Sequence, residues 1–276
     1  MAEKILNSII IPAYNEEKAI GVVVDEIRDK VKGNYEIIIV DDGSNDDTAK
    51  IAESIKGIKF IKQPYNQGKG NAMKAGVAKA SGKNVVFVDA DDTYPAEYFN
   101  DLFELLKTND AVFSKRRYRN VPVFNRLGNM AFSYAIKIFW GFGGSDPLSG
   151  LYGLSKKYFD KMNIQSSRFS IESEICIKTA IMGLRYTEFP IEYRERLGDS
   201  KLHPVKAGWD IIKKLLYFLG EYRPSIAFLL PAATITLASY YFLPRNYFYW
   251  MLIIPIVLLG IYVEKKKKIA ELISGE

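Results

Sequence analysis

Short apolar runs alternate with amphipathic segments along residues 1–115. The runs lie at 7–12, 35–42, 58–63, 83–91 and 110–114. Their consecutive Ile, Val and Phe residues are typical of strands that helices cover on both faces. Segments with helical periodicity lie between them, at 19–31, 69–80 and 96–107. This order predicts a doubly wound α/β sheet, in which ligands bind beyond the carboxyl ends of the strands.

Two further amphipathic segments, 122–142 and 205–223, combine apolar and aromatic residues with cations. In the second, Trp209 lies on an apolar face, while Lys213 and Lys214 point towards the other side. Such helices suit the interface of a membrane. A helix packed into a protein core is the alternative. The apolar tail that follows in the chain is what favours the membrane interface.

The tail, residues 224–276, contains two uncharged apolar runs, Ile226–Leu243 and Tyr247–Val263. Their lengths are near the lower limit for a helix that crosses a bilayer. Tyr and Trp residues flank them, and Lys and Arg concentrate just before the first run and just after the second, which places both ends in the cytoplasm. We expect two transmembrane helices, a multi-pass membrane protein and a cytoplasmic catalytic domain over 1–204. A buried soluble hairpin is the alternative.

The chain has one cysteine, Cys176, and one histidine, His203. A disulfide framework is excluded and a Cys/His zinc site nearly so, which leaves oxygen ligands and favours Mg2+ or Mn2+. The net charge is +6. Because the basic residues lie mainly beside the apolar tail, an anionic membrane or a phosphorylated ligand is favoured over nucleic acid.

Polar residues follow the first two predicted strands at the edge of the sheet where ligands bind. The segment Pro12–Glu16 ends the first strand, and Asp41 with Asp42 ends the second. Two like charges at a strand end repel each other, so a ligand or a cation is needed to offset them. The residues 44–48 are instead typical of a turn and a helix cap.

Two more motifs lie at the same edge. Gln67–Asn71 begins a predicted helix, where glycines allow close approach to a ligand and Lys69 favours phosphate. In Asp89-Ala90-Asp91, Asp89 ends a buried strand and Asp91 falls two residues on, so both carboxylates can face one point. Hard divalent cations bind such oxygens, with the phosphates of a nucleotide as further ligands. A capped turn without metal is the alternative.

The motifs IPAYNEE, VDDGSNDDT, NQGKG and VDADD occur in this order. Together they resemble the motifs of the family 2 inverting glycosyltransferases of the GT-A fold, over residues 5–155. Within that family the chain is most similar to the polyprenyl-phosphate sugar synthases, which include the dolichyl-phosphate mannose and glucose synthases. The segments SDPLSGLYGLSKKYF (145–159) and RLGDSKL (196–202) extend this resemblance.

The resemblance implies a mixed GT-A sheet flanked by helices and a metal-dependent hexosyltransferase of the EC 2.4.1 class. The nucleotide-binding residues would be Pro12, Tyr14, Asn15, Glu16, Asp41, Asp42, Lys69, Asp89, Ala90 and Asp91. The metal, Mg2+ or Mn2+, would be held by Asp89 and Asp91. The acceptor phosphate would contact Arg117, Arg126, Arg196, Ser200 and Lys201. The catalytic set would be Asp89, Asp91, Arg126 and Arg196.

The implied reaction transfers a hexose from a UDP-glucose-type donor or GDP-mannose to a membrane polyprenyl phosphate, with inversion. Since a phosphate oxygen is already anionic near neutral pH, the reaction needs no strong general base. Thr93 occupies the position where mannose synthases often have a metal-binding Gln. This difference favours a UDP donor, and it leaves the third protein ligand of the metal open.

Two alternatives to this reaction are compatible with the sequence. A protein, glycan or glycerolipid hydroxyl could be the acceptor, with Asp146, Glu172 or Glu174 as the base. A degenerate transferase domain could instead serve a non-catalytic membrane protein for binding or scaffolding, although the intact carboxylates Asp89, Asp91 and Asp42 speak against it. The sequence is also compatible with a homo-oligomer.

Overall fold

The computed structural model describes residues 6–117, 123–198 and 204–229, together with 231, 233, 234, 237, 241, 257–264, 266 and 270. The chain divides into two compact units, Met1–Ala207 and Gly208–Glu276. The first unit contains the sheet and the strand-end motifs.

The strands are β1 Asn7–Ala13, β2 Tyr35–Asp41, β3 Lys59–Lys62, β4 Asn84–Phe87, β5 Ala111–Arg116, β6 Tyr152–Ser155 and β7 Tyr186–Ile191. They form one sheet in the order β3-β2-β1-β4-β6-β5-β7. β6 runs antiparallel to β4 and β5, and the other neighbouring pairs are parallel. The expected mixed α/β sheet is therefore confirmed. The carboxyl ends of β1, β2 and β4 meet at one edge.

The helices within the described ranges are α1 Ile20–Lys30, α2 Thr48–Ser54, α3 Lys69–Lys79, α4 Tyr98–Leu105, α5 Val123–Trp140, α6 Lys156–Met162, α7 Ile171–Ile181 and α8 Pro204–Tyr222. A short π-helical segment, Ser225–Leu229, follows α8. The predicted helices correspond to α1, α3, α4, α5 and α8. The helix expected after the cap at 44–48 corresponds to α2, whereas the short α6 and the buried α7 were not predicted.

The centre of the sheet is apolar on both faces because successive side chains of a strand alternate between them. Ile9, Ile10 and Ile11 of β1 are all fully buried. Ile9 and Ile11 belong to the apolar core that also includes residues of α1 and α4. Ile10 lies against α3. A Cβ atom added to Gly76 of α3 would be 2.5 Å from Cγ2 of Ile10. This glycine allows α3 to approach β1 closely, which brings the start of α3 to the functional edge.

Two features of the sheet differ from the prediction. β4 ends at Phe87, so the acidic motif at 89–91 lies in the loop beyond the strand rather than within it. β6 and β7 were missed because their sequences, YGLS and YTEFPI, lack a long apolar run. β7 is an edge strand in the sheet order, a position where a proline is tolerated.

No helix among the described residues is both long enough and apolar enough to cross a membrane. The expected transmembrane pair at 226–243 and 247–263 is therefore not found there. Much of that pair lies outside the described ranges, as do Ser200 and Lys201.

Candidate active site

The loops after β1 and β2 are tied together by polar side chains. The backbone N–H of Asn15 donates to Ser44 Oγ at 2.9 Å, and the N–H of Asn45 donates to Asn15 Oδ1 at 2.8 Å. Asn15 has a φ of 54°, a left-handed conformation in which Asn is enriched. Pro12 and Tyr14 are partly exposed beside it. The predicted nucleoside contacts Pro12, Tyr14 and Asn15 are thus partly exposed, whereas Glu16 is buried.

The residues 44–48 form a turn and a helix cap, as predicted. The N–H of Thr48 donates to Asp46 Oδ1 at 3.0 Å at the start of α2. The hydroxyl of Thr48 accepts the N–H of Glu16 at 2.7 Å. The cap of α2 therefore also fixes the backbone of Glu16, a predicted nucleotide ligand.

Asp41 and Asp42 have structural roles that the sequence did not reveal. Asp41 is fully buried and accepts the N–H of Ser44 through both oxygens, each at 3.3 Å. Asp42 accepts the N–H of Gln67 at 2.8 Å and the N–H of Gly68 at 2.9 Å. Burial raises the pKa of Asp42, and the Asp41 charge adds to this effect. Asp42 therefore positions the loop that begins α3. This role is additional to its predicted contact with a nucleoside.

The glycines of Gln67–Asn71 allow a close approach, but to the protein's own backbone. A Cβ atom on Gly70 would lie 2.5 Å from the carbonyl oxygen of Ser166, and one on Gly68 would lie 2.9 Å from Arg168 Cγ. Gly68 also has a φ of 95°. We expected these glycines to admit a ligand, and the structure corrects that reading. They seat the loop on residues 166–168.

Lys69 lies between two carboxylates. Its Nζ atom is 2.5 Å from Asp89 Oδ1 and 2.5 Å from Glu172 Oε1. Burial alone would lower the pKa of Lys69, but the charges of Asp89 and Glu172 outweigh it and raise the pKa, so the amine stays protonated. Burial raises the pKa of Glu172, against the opposing effect of Lys69. The sequence did not pair Glu172 with Lys69, because the two residues lie on different helices far apart in the chain.

Asp91 is held by a threonine and an arginine. The Thr93 hydroxyl donates to Asp91 Oδ1 at 2.6 Å, and Arg196 Nη1 donates to Asp91 Oδ2 at 3.0 Å. Arg196 also bonds to Glu16 through Nη2. Burial raises the pKa of Asp91, and the nearby charge of Asp89 raises it further. Thr93 thus orients the carboxylate of Asp91.

The contacts form two groups, each with a cation between two acids: Glu172, Lys69 and Asp89, and Asp91, Arg196 and Glu16. The charge of Asp89 acts on Asp91, and we call the six residues together the carboxylate row. A carboxylate offers about four lone-pair sites, so Asp89 and Asp91 keep sites for a further ligand. No group of three or more His, Cys, Asp or Glu side chains suited to a metal occurs among the described residues. A cation at this pair would need oxygens from its ligand as well.

The remaining acids considered as bases are engaged in structural contacts. Asp146, 1% exposed, accepts Arg116 Nε at 2.7 Å and Arg116 Nη2 at 2.8 Å. Glu174 is fully buried and 2.7 Å from Lys178 Nζ. Lys178 and nearby N–H donors lower the pKa of Glu174 although burial opposes them. Neither acid is placed to take a proton from a substrate.

The predicted acceptor residues lie in different surroundings. Arg117, at the end of β5, forms an exposed ion pair with Glu192 at 2.7 Å. Arg126 is exposed on α5. Arg196 belongs to the carboxylate row instead of standing apart from the donor residues. Because Ser200 and Lys201 lie outside the described residues, the acceptor role of this set stays a prediction.

Comparison with known proteins places these features in a family. Residues 8–163 match the model for Glycosyl transferase family 2. The chain is 33% identical over 220 residues to a dolichyl-phosphate hexose transferase of Haloferax volcanii, across 78% of this chain and 95% of the relative. It is 30% identical to a dolichol-phosphate mannosyltransferase of Pyrococcus furiosus, across 71% of this chain and 58% of that relative.

A solved structure is similar as well. It is glucosyl-3-phosphoglycerate synthase from Mycobacterium tuberculosis in complex with Mn2+, UDP-glucose and glycerol 3-phosphate. The two chains are 26% identical with a TM-score of 0.62, and the match covers 77% of this chain and 79% of that chain.

Proposed function

The chain belongs to glycosyl transferase family 2, and we propose that it transfers a hexose from a nucleotide-sugar to the phosphate of a membrane polyprenyl lipid. The observation that carries this proposal is the carboxylate row. It places two acidic side chains, Asp89 and Asp91, between the cations Lys69 and Arg196. Such an arrangement suits a diphosphate bound together with a divalent cation.

The donor half of the site follows from the loops after β1 and β2. Pro12, Tyr14 and Glu16 would contact the nucleoside, with Asp42 beside them, and Lys69 would lie towards the phosphates. The Mycobacterium tuberculosis neighbour binds UDP-glucose, and the Pyrococcus furiosus relative is named for mannose transfer. The donor is therefore proposed as UDP-glucose-type or GDP-mannose.

The chemistry of Asp89 and Asp91 fits a hard cation, Mg2+ or Mn2+. When bound, such an ion stabilises the negative charge that grows on the departing diphosphate. Asp91 is oriented for this by Thr93, and Asp89 is oriented by Lys69. Lys69 and Arg196 supply fixed positive charge on either side, which limits the repulsion between two phosphate-bearing substrates.

Each of the three acids considered as a base is already paired with a cation, Asp146 with Arg116, Glu172 with Lys69 and Glu174 with Lys178, which is compatible with a phosphate acceptor. A lipid phosphate brings its own anionic oxygen, so in-line attack on the sugar requires no proton removal by the protein. The bond from the anomeric carbon to the donor phosphate breaks as the bond to the lipid phosphate forms. Direct displacement of this kind inverts the anomeric centre.

A membrane location for the acceptor is supported by exposed apolar side chains on α5. Met130, Tyr134 and Ile138 are 51%, 67% and 57% exposed, and they follow Arg126 at intervals of four residues. Residues four apart lie on one face of a helix. We call these four residues the α5 stripe. An apolar stripe beside a cation suits the headgroup region of a bilayer.

The second unit offers a similar pattern on α8. Trp209, Ile212 and Leu216 are exposed, and Lys213 Nζ lies 5.7 Å from the centroid of the Trp209 ring. We propose that α8 lies at the membrane interface and that the apolar runs at 226–243 and 247–263 anchor the chain as a transmembrane pair. The catalytic unit would then face the cytoplasm.

One panel experiment tests the proposed function. Detergent-purified protein is incubated with Mn2+ and radiolabelled UDP-glucose, UDP-N-acetylglucosamine or GDP-mannose, each with polyprenyl phosphate, polyprenol or diacylglycerol. We expect labelled lipid with polyprenyl phosphate and one donor only. Labelling of polyprenol or diacylglycerol at an equal rate would contradict the phosphate acceptor and favour a hydroxyl acceptor.

A further inference from the structure

The segment Asp146–Gly150 is held in place from its first residue to its last. Arg116 grips Asp146 through two hydrogen bonds of 2.7 Å and 2.8 Å. A third donor, Asn129 Nδ2 of α5, lies 2.8 Å from Asp146 Oδ1. Because charged pairs with two parallel hydrogen bonds fix orientation as well as distance, the start of the segment is anchored to β5 and α5 together.

The end of the segment is fixed by two buried hydroxyl groups. Ser149 Oγ lies 2.6 Å from Ser114 Oγ on β5. The N–H of Gly150 donates to Tyr94 Oη at 2.6 Å. Tyr94 is 4% exposed, and its ring packs edge-on against Tyr193 at 5.4 Å between centroids. A buried hydroxyl with both bonding and packing partners has little freedom to move.

Gly150 lies directly against the carboxylate of Asp89. A Cβ atom added to Gly150 would be 2.6 Å from Asp89 Cγ and 2.9 Å from Asp89 Oδ1. Gly150 is not among the glycines with positive φ, so its backbone conformation does not require glycine. Space for the Asp89 carboxylate is therefore the reason for a glycine at this position.

We infer that the segment Asp146–Gly150 is a platform that sets the position of the Asp89 carboxylate, with Gly150 as the positioning residue. This inference rests on the proposed role of Asp89 as a ligand of the donor's divalent cation. Gly150 limits the carboxylate from one side, and Lys69 holds it by Oδ1 from another. The platform accounts for the Asp, Ser and Gly of the DPLSG sequence, since each has its own contact.

If Gly150 had only a structural role, Gly150→Ala would lower the stability of the fold and leave metal binding unchanged. The side chain of Asp89 is 27% exposed, so it can turn away from a new methyl group at small cost to the fold. Gly153, three residues along the chain on β6, offers a matched comparison. A Cβ atom there would meet core side chains, 2.9 Å from Leu102 Cδ2 and 3.0 Å from Leu106 Cδ1. Gly153→Ala should affect stability, and Gly150→Ala should affect the metal ligand.

The test is a titration of the full-length protein with Mn2+, in which the electron paramagnetic resonance signal measures the concentration of free Mn2+. It is carried out once with saturating UDP and once with saturating GDP. We expect Gly150→Ala to raise the Mn2+ Kd by about 10- to 100-fold, the range seen when residues that orient a ligand are changed. The Tm should stay close to that of the wild type. Gly153→Ala should lower the Tm and leave the Mn2+ Kd unchanged.

Two further variants make the result decisive. Tyr94→Phe removes the acceptor for the Gly150 N–H and should raise the Mn2+ Kd less than Gly150→Ala does. Asp89→Asn should raise it most. If Asp89→Asn weakens Mn2+ binding but Gly150→Ala does not, the platform is wrong and the metal role of Asp89 stands. If Asp89→Asn has no effect on the Mn2+ Kd, both the platform and the metal role of Asp89 are wrong. If the protein binds Mn2+ as expected but does not transfer a sugar to a lipid phosphate, only the proposed acceptor is wrong.

Discussion

The carboxylate row and the α5 stripe belong to the same compact unit but are built in opposite ways. In the row, Asp91 and Glu172 are nearly buried and each is paired with a cation. In the stripe, Met130, Tyr134 and Ile138 are each more than half exposed. Fixed charges in a buried site are organised before the ligand arrives, which is how a protein stabilises a developing charge.

The stripe instead leaves apolar area unburied. Soluble proteins rarely expose contiguous apolar patches without a partner surface. In the proposed function, the row binds the polar donor and the stripe faces the lipid that carries the acceptor. The variants below are ways to separate the two.

The largest effect is expected from the row. Asp91→Asn removes a carboxylate that faces Asp89, while Thr93 can still hold the side chain in place. We expect sugar transfer to fall by more than about 100-fold, beyond the loss typical of residues that only orient a metal ligand. Initial rates with saturating donor and Mn2+, together with a Mn2+ titration, measure this. A variant that turns over at the wild-type rate would remove Asp91 from the mechanism.

A smaller loss is expected at Glu172. In Glu172→Gln, Asp89 is the remaining charged partner of Lys69 in this pair of contacts. The Lys69 amine is then drawn towards Asp89, the proposed metal ligand. Since a hydrogen bond to a charged group contributes about 1.5–3 kcal/mol, transfer should fall by about 10- to 100-fold. The matched control is Glu36→Gln, which breaks an acid–lysine pair at 2.7 Å between Glu36 of β2 and Lys59 of β3. Equal losses in the two variants would mean that the effect is one of stability.

The α5 stripe is tested by Tyr134→Ser combined with Ile138→Ser. Removing two apolar side chains from a lipid surface should raise the KM for polyprenyl phosphate in vesicles by about tenfold. The KM for the nucleotide-sugar should not change, because the row is untouched. Val22→Ser, at an exposed apolar position of α1, serves as the control. An equal rise in KM for a water-soluble short-chain phosphate would argue against membrane contact.

The smallest effects are those of pH on stability. The raised pKa of Asp91 means that its charged form costs the folded state stability above its ordinary pKa of 3.8. The lowered pKa of Glu174 means that its charge stabilises the fold above 4.5, and this is lost as the pH falls through the folded value.

Melting curves should therefore separate these two acids. Relative to wild type at pH 7, Asp91→Asn should melt slightly higher and Glu174→Gln lower, with changes of about 2–4 °C per kcal/mol. Both differences should shrink as the pH is lowered towards 4. A Glu174→Gln difference that grows on acidification would mean that the charge of Glu174 does not stabilise the fold.

The sequence was informative wherever a local pattern determines structure. The apolar runs of β1 and β2 and the periodicity of α1 and α3 predicted their elements. The motif at 41–42 lies at the end of β2 as predicted, whereas the motif at 89–91 begins two residues beyond the end of β4. The turn and cap at 44–48 followed from residue type alone. These features depend on neighbours within a few residues.

Contacts between distant segments were beyond such patterns. Nothing local in SIESE indicates that Glu172 reaches Lys69, and nothing in RLGDS indicates that Arg196 reaches Glu16 and Asp91. The short β6 was missed because four residues give too little periodicity to recognise. The segment DPLSG entered the sequence analysis only through the resemblance and through Asp146 as a possible base. Its contacts with Arg116 and Ser114 join distant segments and were not predicted.

The anomeric configuration and the linkage of the product give the most direct test of the proposed transfer. The protein is given an anomerically defined, 13C-labelled nucleotide-sugar and polyprenyl phosphate, and the product is examined by 1H and 31P NMR spectroscopy. We predict a sugar phosphodiester in which the anomeric carbon is coupled to phosphorus and has the configuration opposite to that of the donor. A retained configuration, or a sugar linked to a carbon-bound hydroxyl without coupling to phosphorus, would contradict direct attack by a lipid phosphate.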